Sequence, residues 1–132
     1  MTFQENELLA VLSYVESLTL AEVSSLDLLR EHAIKIQGWM AFSAGQMVIA
    51  SEELHTRRKG AYLSVYGSLK ATDKKIPQVS IIKDYINDVV GKEVANYLLA
   101  ERVNRTCTHA LTLSVTLISA CKEEMRNLNY QT

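Results

Sequence analysis

The sequence predicts an all-α protein built as a long antiparallel helical hairpin or bundle, with short flanking helices and coiled-coil-like packing. Three observations predict it. Between Thr19 and Lys70 there is no proline, and Leu26, Leu29, Ala33, Ile36, Met40, Ser43, Met47, Ala50 and Leu54 recur in alternating steps of three and four. That spacing lines side chains along one side of an α-helix. A second stripe, Cys107, Leu111, Ser114, Ile118, Cys121, Met125 and Leu128, runs through the C-terminal third. The single proline, Pro77, closes the stretch ATDKKIP, the strongest break in the chain. A helix of about fifty residues is roughly 75 Å long at 1.5 Å per residue. A compact chain of this length is only roughly 30 Å across. The helix must fold back on a partner, bend or protrude, which favours a binding or assembly protein over a pocketed enzyme.

The elements follow in order along one domain, 1–132. Residues 3–17 read as a short helix with Leu8, Leu9, Leu12 and Val15 on one face. The long helix is expected over 19–70. Thr19 and Glu22 have the spacing of a capping box, and Leu18 with Val23 fits the accompanying hydrophobic staple. Gly38, Gly45, Gly60 and Gly67 fall inside it in two pairs, each spaced by seven. Each glycine costs about 1 kcal/mol relative to alanine in a helix interior. They mark either a bend or fray near residue 60 or close approach of a partner helix. Residues 71–79 read as the hairpin turn. Ser80 can cap a short helix over 80–90, and Gly91 can end or kink it. The second long helix is expected over 92–128. Beside its stripe, Val103, Ala110, Leu113, Leu117 and Ala120 form a second apolar line. A helix apolar on two sides is buried on two sides, and in so small a chain the second side suits a subunit interface. Leu113 and Leu117, with Met40 and Met47, are the expected oligomer contacts. The β-branched residues between Val103 and Ile118 would suit a strand, but the sustained heptad outweighs that propensity.

The chain carries a net charge of −1, unevenly spread. Residues 1–31 hold six acids against Arg30 alone, whereas residues 32–75 hold seven Lys or Arg against three acids. A near-neutral chain is a poor dedicated duplex-DNA binder but allows a focused anion-binding strip. The acidic N-terminus lacks the basic region of a signal peptide. Thr106–Cys121 is interrupted by six Ser and Thr and bracketed by Arg102, Arg105 and Lys122, so it reads as a buried helix rather than a membrane span. Cys107 and Cys121 would lie about 21 Å apart on one helix and cannot bridge each other. Free thiols and a reducing, cytoplasmic setting are expected.

Catalytic signatures are absent from the sequence: there is no phosphate-binding glycine loop, His-Glu-x-x-His, Cys-x-x-Cys or nucleophile elbow. No enzymatic activity, cofactor or metal is expected. Cys107 and His109 point apart on a helix, and Asp84 with Asp88 reads as a solvated helix face. One segment has functional character. HTRRKGAYLSVYGSLKATDKK, from His55 to Lys75, carries Arg57, Arg58, Lys59, Lys70, Lys74 and Lys75 against Asp73, with Tyr62 and Tyr66 interleaved. Cations track a phosphate backbone, and aromatic rings stack on unpaired bases. Two other readings remain open: a solvated basic hairpin tip, or salt bridges to the acidic residues 1–31 of a neighbouring subunit.

The C-terminal stretch AERVNRTCTHALTLSVTLISACKEEMR, residues 100–126, resembles the closing helix of small helical proteins of tailed phages. Many of these are similar to the recombination mediators of the UvsY family. That family's basic-aromatic stretch on the first long helix is matched loosely by Arg57, Arg58, Lys59, Tyr62 and Tyr66. The family often carries an Arg after Thr-His, where this chain has uncharged Thr112 to Thr116. The resemblance implies an all-helical, ring-like homo-oligomer that binds single-stranded DNA. It also implies help in loading a recombinase onto strands coated by single-strand-binding protein, in phage DNA recombination or replication within the host cytoplasm. The alternative is a phage protein–protein interaction factor, an inhibitor of a host defence or a virion-assembly factor, with no nucleic-acid role.

Overall fold

The computed structural model describes residues 2–72 and 75–131. Among them the elements are α1 (Glu5–Ser17), a 3₁₀ turn (Leu20–Glu22), α2 (Leu26–Ala71), α3 (Val79–Val89) and α4 (Gly91–Gln131), with no strand. The fold is the all-α hairpin the two stripes predict. At 46 residues, α2 is about 69 Å long, and α4 packs along it as the dominant interface of the molecule. The two run antiparallel: Asn104 of α4 bonds Met40 and Ser43 near the middle of α2, while Glu93 at the start of α4 pairs with Arg57 towards the end of α2.

The seam is the one the heptad dictates. Leu29, Ile36, Ser43 and Ala50, spaced by seven, are fully buried, and the interleaved Leu26, Ala33, Met40, Met47 and Leu54 are half-buried. Opposite them α4 buries Ala100, Val103, Cys107 and Ser114. Residues this small let the helices approach closely, as ridges into grooves require. Near mid-seam the amide of Asn104 donates to the Met40 carbonyl at 3.0 Å and to Ser43 Oγ at 3.1 Å, and Ser43 Oγ donates to the Met40 carbonyl. A buried polar group is tolerated only when partnered, so sliding the helices by a turn would strand these atoms. The α4 stripe continues as Met125 and Leu128, which are exposed. Given the register at Asn104, α4 runs on past the level at which α2 begins.

The β-branched stretch of α4 is helical because its hydroxyls find local acceptors. Thr108, Thr112 and Thr116 each donate to the carbonyl four residues back, at 2.8–3.0 Å. This is the usual accommodation of threonine in a helix.

α1 completes the bundle, parallel to α4 and antiparallel to α2. Glu5 pairs with Lys92 and Glu16 with Arg102. Tyr14 meets Trp39 edge-on at 5.0 Å, and the Gln4 N–H donates to Gln46. Leu8, Leu12 and Val15 are buried with Ile36, Ala100, Val103 and Cys107, while Leu9 turns outward at 46 % exposure.

The start of α2 differs from the sequence expectation. Thr19 and Glu22 do not open it. Thr19 precedes only the 3₁₀ turn and makes no side-chain cap, the chain is extended again at Val23, and Ser25 caps α2 by accepting from the Leu28 N–H. The cause is tertiary. Leu20 is buried in the α1–α4 core, and Leu18 packs against it. Carrying both inward requires the chain to cross the end of the bundle before it becomes helical. Ser80 likewise lies inside the first turn of α3, whose N-cap is Gln78 without a side-chain bond. Gly91 begins α4 instead of ending α3, and the break falls at Val90. α2 stays helical through Gly60 and Gly67, so there is no fray at residue 60.

Asn104→Ala is expected to lower stability by about 1–2 kcal/mol, the usual cost of unpaired buried polar atoms, read as a lower urea midpoint. Ala100→Leu, overfilling a fully buried seam position, is expected to cost about 1–3 kcal/mol.

Candidate nucleic-acid interface

Beyond Leu54 the contact line on α2 shifts. The half-buried positions become Arg58, Ala61, Tyr62, Val65 and Leu69, as the partner changes from α4 to α3, which buries Ile82 and Ile86. A groove of about 390 Å³ between α2 and α3 is lined by Val65, Leu69, Pro77, Ile82 and Tyr85 among others. This shift divides the predicted cationic residues between two sides of the helix.

At about 100° per residue, Arg58, Lys59, Tyr62, Tyr66 and Lys70 fall within one arc of about 120° on α2. Lys59 and Lys70 are exposed, Arg58 and Tyr62 half-buried, and Tyr66 is 42 % exposed. The rings of Tyr62 and Tyr66 lie nearly parallel, 14° apart, with centroids at 6.4 Å. Lys59, Tyr66 and Lys70 are the open part of this arc, and Arg58 and Tyr62 sit at its half-buried inner edge.

Arg57 does not belong to that arc. It follows Leu54 at the heptad step of three but is exposed, and it lies about half a turn out of phase with Tyr66. Its Nε is 3.8 Å from Glu93 Oε1, in a shallow groove of about 420 Å³ lined by Glu52, Glu53, Thr56, Arg57 and Glu93. Three carboxylates line that groove, so Arg57, expected among the phosphate-contacting residues, lies in acidic surroundings away from Lys59, Tyr66 and Lys70. Its heptad position and the acids Glu52 and Glu53 were the available signals; Glu93, far along the chain, gave none. Lys75 is exposed in the connection before α3. Lys74 and Asp73 lie outside the described residues.

The expected oligomer contacts divide similarly. Met40, Met47 and Leu117 pack against the chain's own core, while Leu113 is 43 % exposed. The second apolar side of α4 is thus covered in part by α1 and the Leu18–Leu20 segment through Val103, Ala110 and Leu117.

Among the described residues no group of three His, Cys, Asp or Glu side chains is placed to hold a metal ion. Cys107 is buried while His109 is exposed, and Asp84 and Asp88 are both exposed. Both cysteines are free, and burial raises the Cys107 thiol above its ordinary pKa. No helix of the described residues is long and apolar enough to cross a membrane. Comparison with family models, curated proteins and solved structures finds no match.

Two outcomes are expected. Arg57→Ala should cost about 0.5–1 kcal/mol, because it removes the cation paired with the mostly buried Glu93 carboxylate, whereas Lys59→Ala should stay within about 0.5 kcal/mol; chemical denaturation measures both. In native protein near neutral pH, a thiol reagent should modify Cys121 well before Cys107, since a raised pKa leaves less thiolate and burial denies access. Peptide mapping identifies the order.

Proposed function

We propose that this protein is a non-enzymatic, self-associating factor that binds single-stranded DNA along the outer side of the distal third of α2. The observation that carries the reading is the near-parallel Tyr62–Tyr66 pair, flanked by the exposed Lys59 and Lys70 with the half-buried Arg58 beside them. Ring faces accept any base, and lysines along the same line follow the phosphates, so binding of this kind is sequence-tolerant and salt-dependent. A few cations per chain suffice when an assembly repeats the strip, because linked weak sites gain avidity. The resemblance to phage recombination mediators supplies the setting: a cytoplasmic accessory protein that helps a recombinase onto strands held by a single-strand-binding protein.

A specific observation favours the second reading, a protein–protein interaction factor. Ile81 and Tyr85, which line the α2–α3 groove, are 58 % and 57 % exposed, and Ile76 and Val79, on either side of the groove-lining Pro77, are each 61 % exposed. Contiguous exposed apolar surface is a common mark of a protein contact.

Anisotropy of a labelled oligonucleotide at several salt concentrations separates the two. Salt-dependent binding is expected. Lys59→Ala and Lys70→Ala should each reduce the log–log salt slope by about 0.7. Tyr66→Ala should cost about 1–3 kcal/mol of binding with the slope nearly unchanged. Arg57→Ala should leave the slope as it was. An absence of binding at low ionic strength would sink the DNA reading and leave the apolar tip as the functional surface.

A further inference from the structure

Among the described residues, no helix covers the outward side of the proximal two-thirds of α2. Ile34, at 69 %, is the most exposed large apolar side chain among the described residues, and Val48 on the same side is 57 % exposed. We propose that this face pairs with the same face of a second copy of the chain, antiparallel, about a two-fold axis at Ala41.

The sequence of the face is close to a palindrome about that residue. Ile34 and Val48 each lie seven residues from Ala41, Arg30 and Glu52 eleven, and Asp27 and His55 fourteen. Seven, eleven and fourteen residues are close to whole numbers of helical turns, so all six share one side with Ala41. In the antiparallel pairing Ile34 meets Val48, Arg30 meets Glu52, and Asp27 meets His55, each twice by symmetry. A parallel pairing in register would set Arg30 on Arg30 and Glu52 on Glu52, so the charges select the antiparallel arrangement. These four charged or titratable side chains have no ion-pair partner among the described residues. They are free to pair across an axis.

The middle of the face suits close approach. Gly38 and Gly45 flank Ala41, and a Cβ built on either meets nothing within 4 Å. Packing inside the chain therefore does not account for glycine at these positions, which weakens an isolated helix. A second backbone crossing there does account for it, since glycine lets main chains come close. A groove of about 700 Å³, lined by Gln4, Ala41, Gly45, Val48, Glu52 and Glu53 among others, runs beside the same line and offers room for an opposing helix. The paired stretch ends at His55 and the cationic strip begins at Arg58, so the two surfaces occupy consecutive stretches of α2. The pairing does not depend on the DNA reading.

The test is sedimentation of the full chain at micromolar concentration without nucleic acid, so its failure is distinct from a failure to bind DNA. The wild-type protein is expected to self-associate. Arg30→Glu alone, or Glu52→Arg alone, should weaken association about tenfold, because each reversal acts twice across the axis. The double reversal R30E/E52R should restore it. Both residues are exposed, and unchanged far-UV circular dichroism checks that the variants fold. As a second readout, Ala41→Cys in a Cys121→Ser background should form a disulfide-linked dimer on mild oxidation, because Ala41 faces its own copy. A wild-type monomer, association indifferent to the single reversals, no recovery in the double reversal, or no A41C crosslink each overturns the proposal. A monomer that instead retains a different protein on this face overturns it equally.

Discussion

The rest of the molecule depends on the seam between α2 and α4. Each helix is about twice the width of a compact domain of this length, and neither has an interior of its own. Isolated helices owe little of their stability to propensity, and α2 carries four glycines that weaken it further. What keeps them straight and helical is the burial of one stripe against the other. At about 25 cal/mol per Å² of apolar surface removed from water, a seam this long is the main favourable term available to the chain.

That seam is packed with small residues. Ser43, Ala50, Ala100, Cys107 and Ser114 are all essentially buried, so the helices approach closely and hold each other by contact along their length. A small-residue seam specifies register weakly, since one alanine or serine resembles the next. Asn104 supplies the missing specificity by bonding Met40 and Ser43 at one level only. With that register set, α1 docks against the side of α4 that carries Val103 and Ala110, and the chain between Leu18 and Val23 is drawn out of α-helix so that Leu20 reaches the core.

The seam also shapes the functional surface. α4 begins at Gly91, level with Arg57, and beyond it α2 has only α3 to lean on. The inward line drifts there, turning Arg57 to Glu93 and leaving Lys59, Tyr66 and Lys70 on open surface. Among the described residues, no helix covers the face opposite the seam. Its apolar and charged pattern, centred on Ala41, is of no use to the folding of one chain. Packing constraints within the hairpin therefore separate the surfaces that serve the fold from those free for partners.

The all-α class, both long helices, the break around Pro77 and the inward line from Leu26 to Leu54 were legible in the sequence, because heptad spacing is a local property of residue order. The aromatic-cationic segment was legible for the same reason. The start of α2 was not. Thr19 and Glu22 satisfy every local rule for a helix start, but the burial of Leu20 against α4 outweighs a cap worth about 1 kcal/mol. The side to which each cation points was legible only in part, since Arg57 follows the heptad while its partner Glu93 lies on another helix. The pairing of Asn104 with Ser43, and the covering of Leu117 by the chain's own core, join residues more than sixty positions apart or depend on where α1 lies. Periodicity along the chain by itself determined which residues form helices and which line faces inward. Only the tertiary structure decided which helix meets which, at what register, and which apolar and charged residues remain on the surface, because those follow from contacts between segments distant in the sequence.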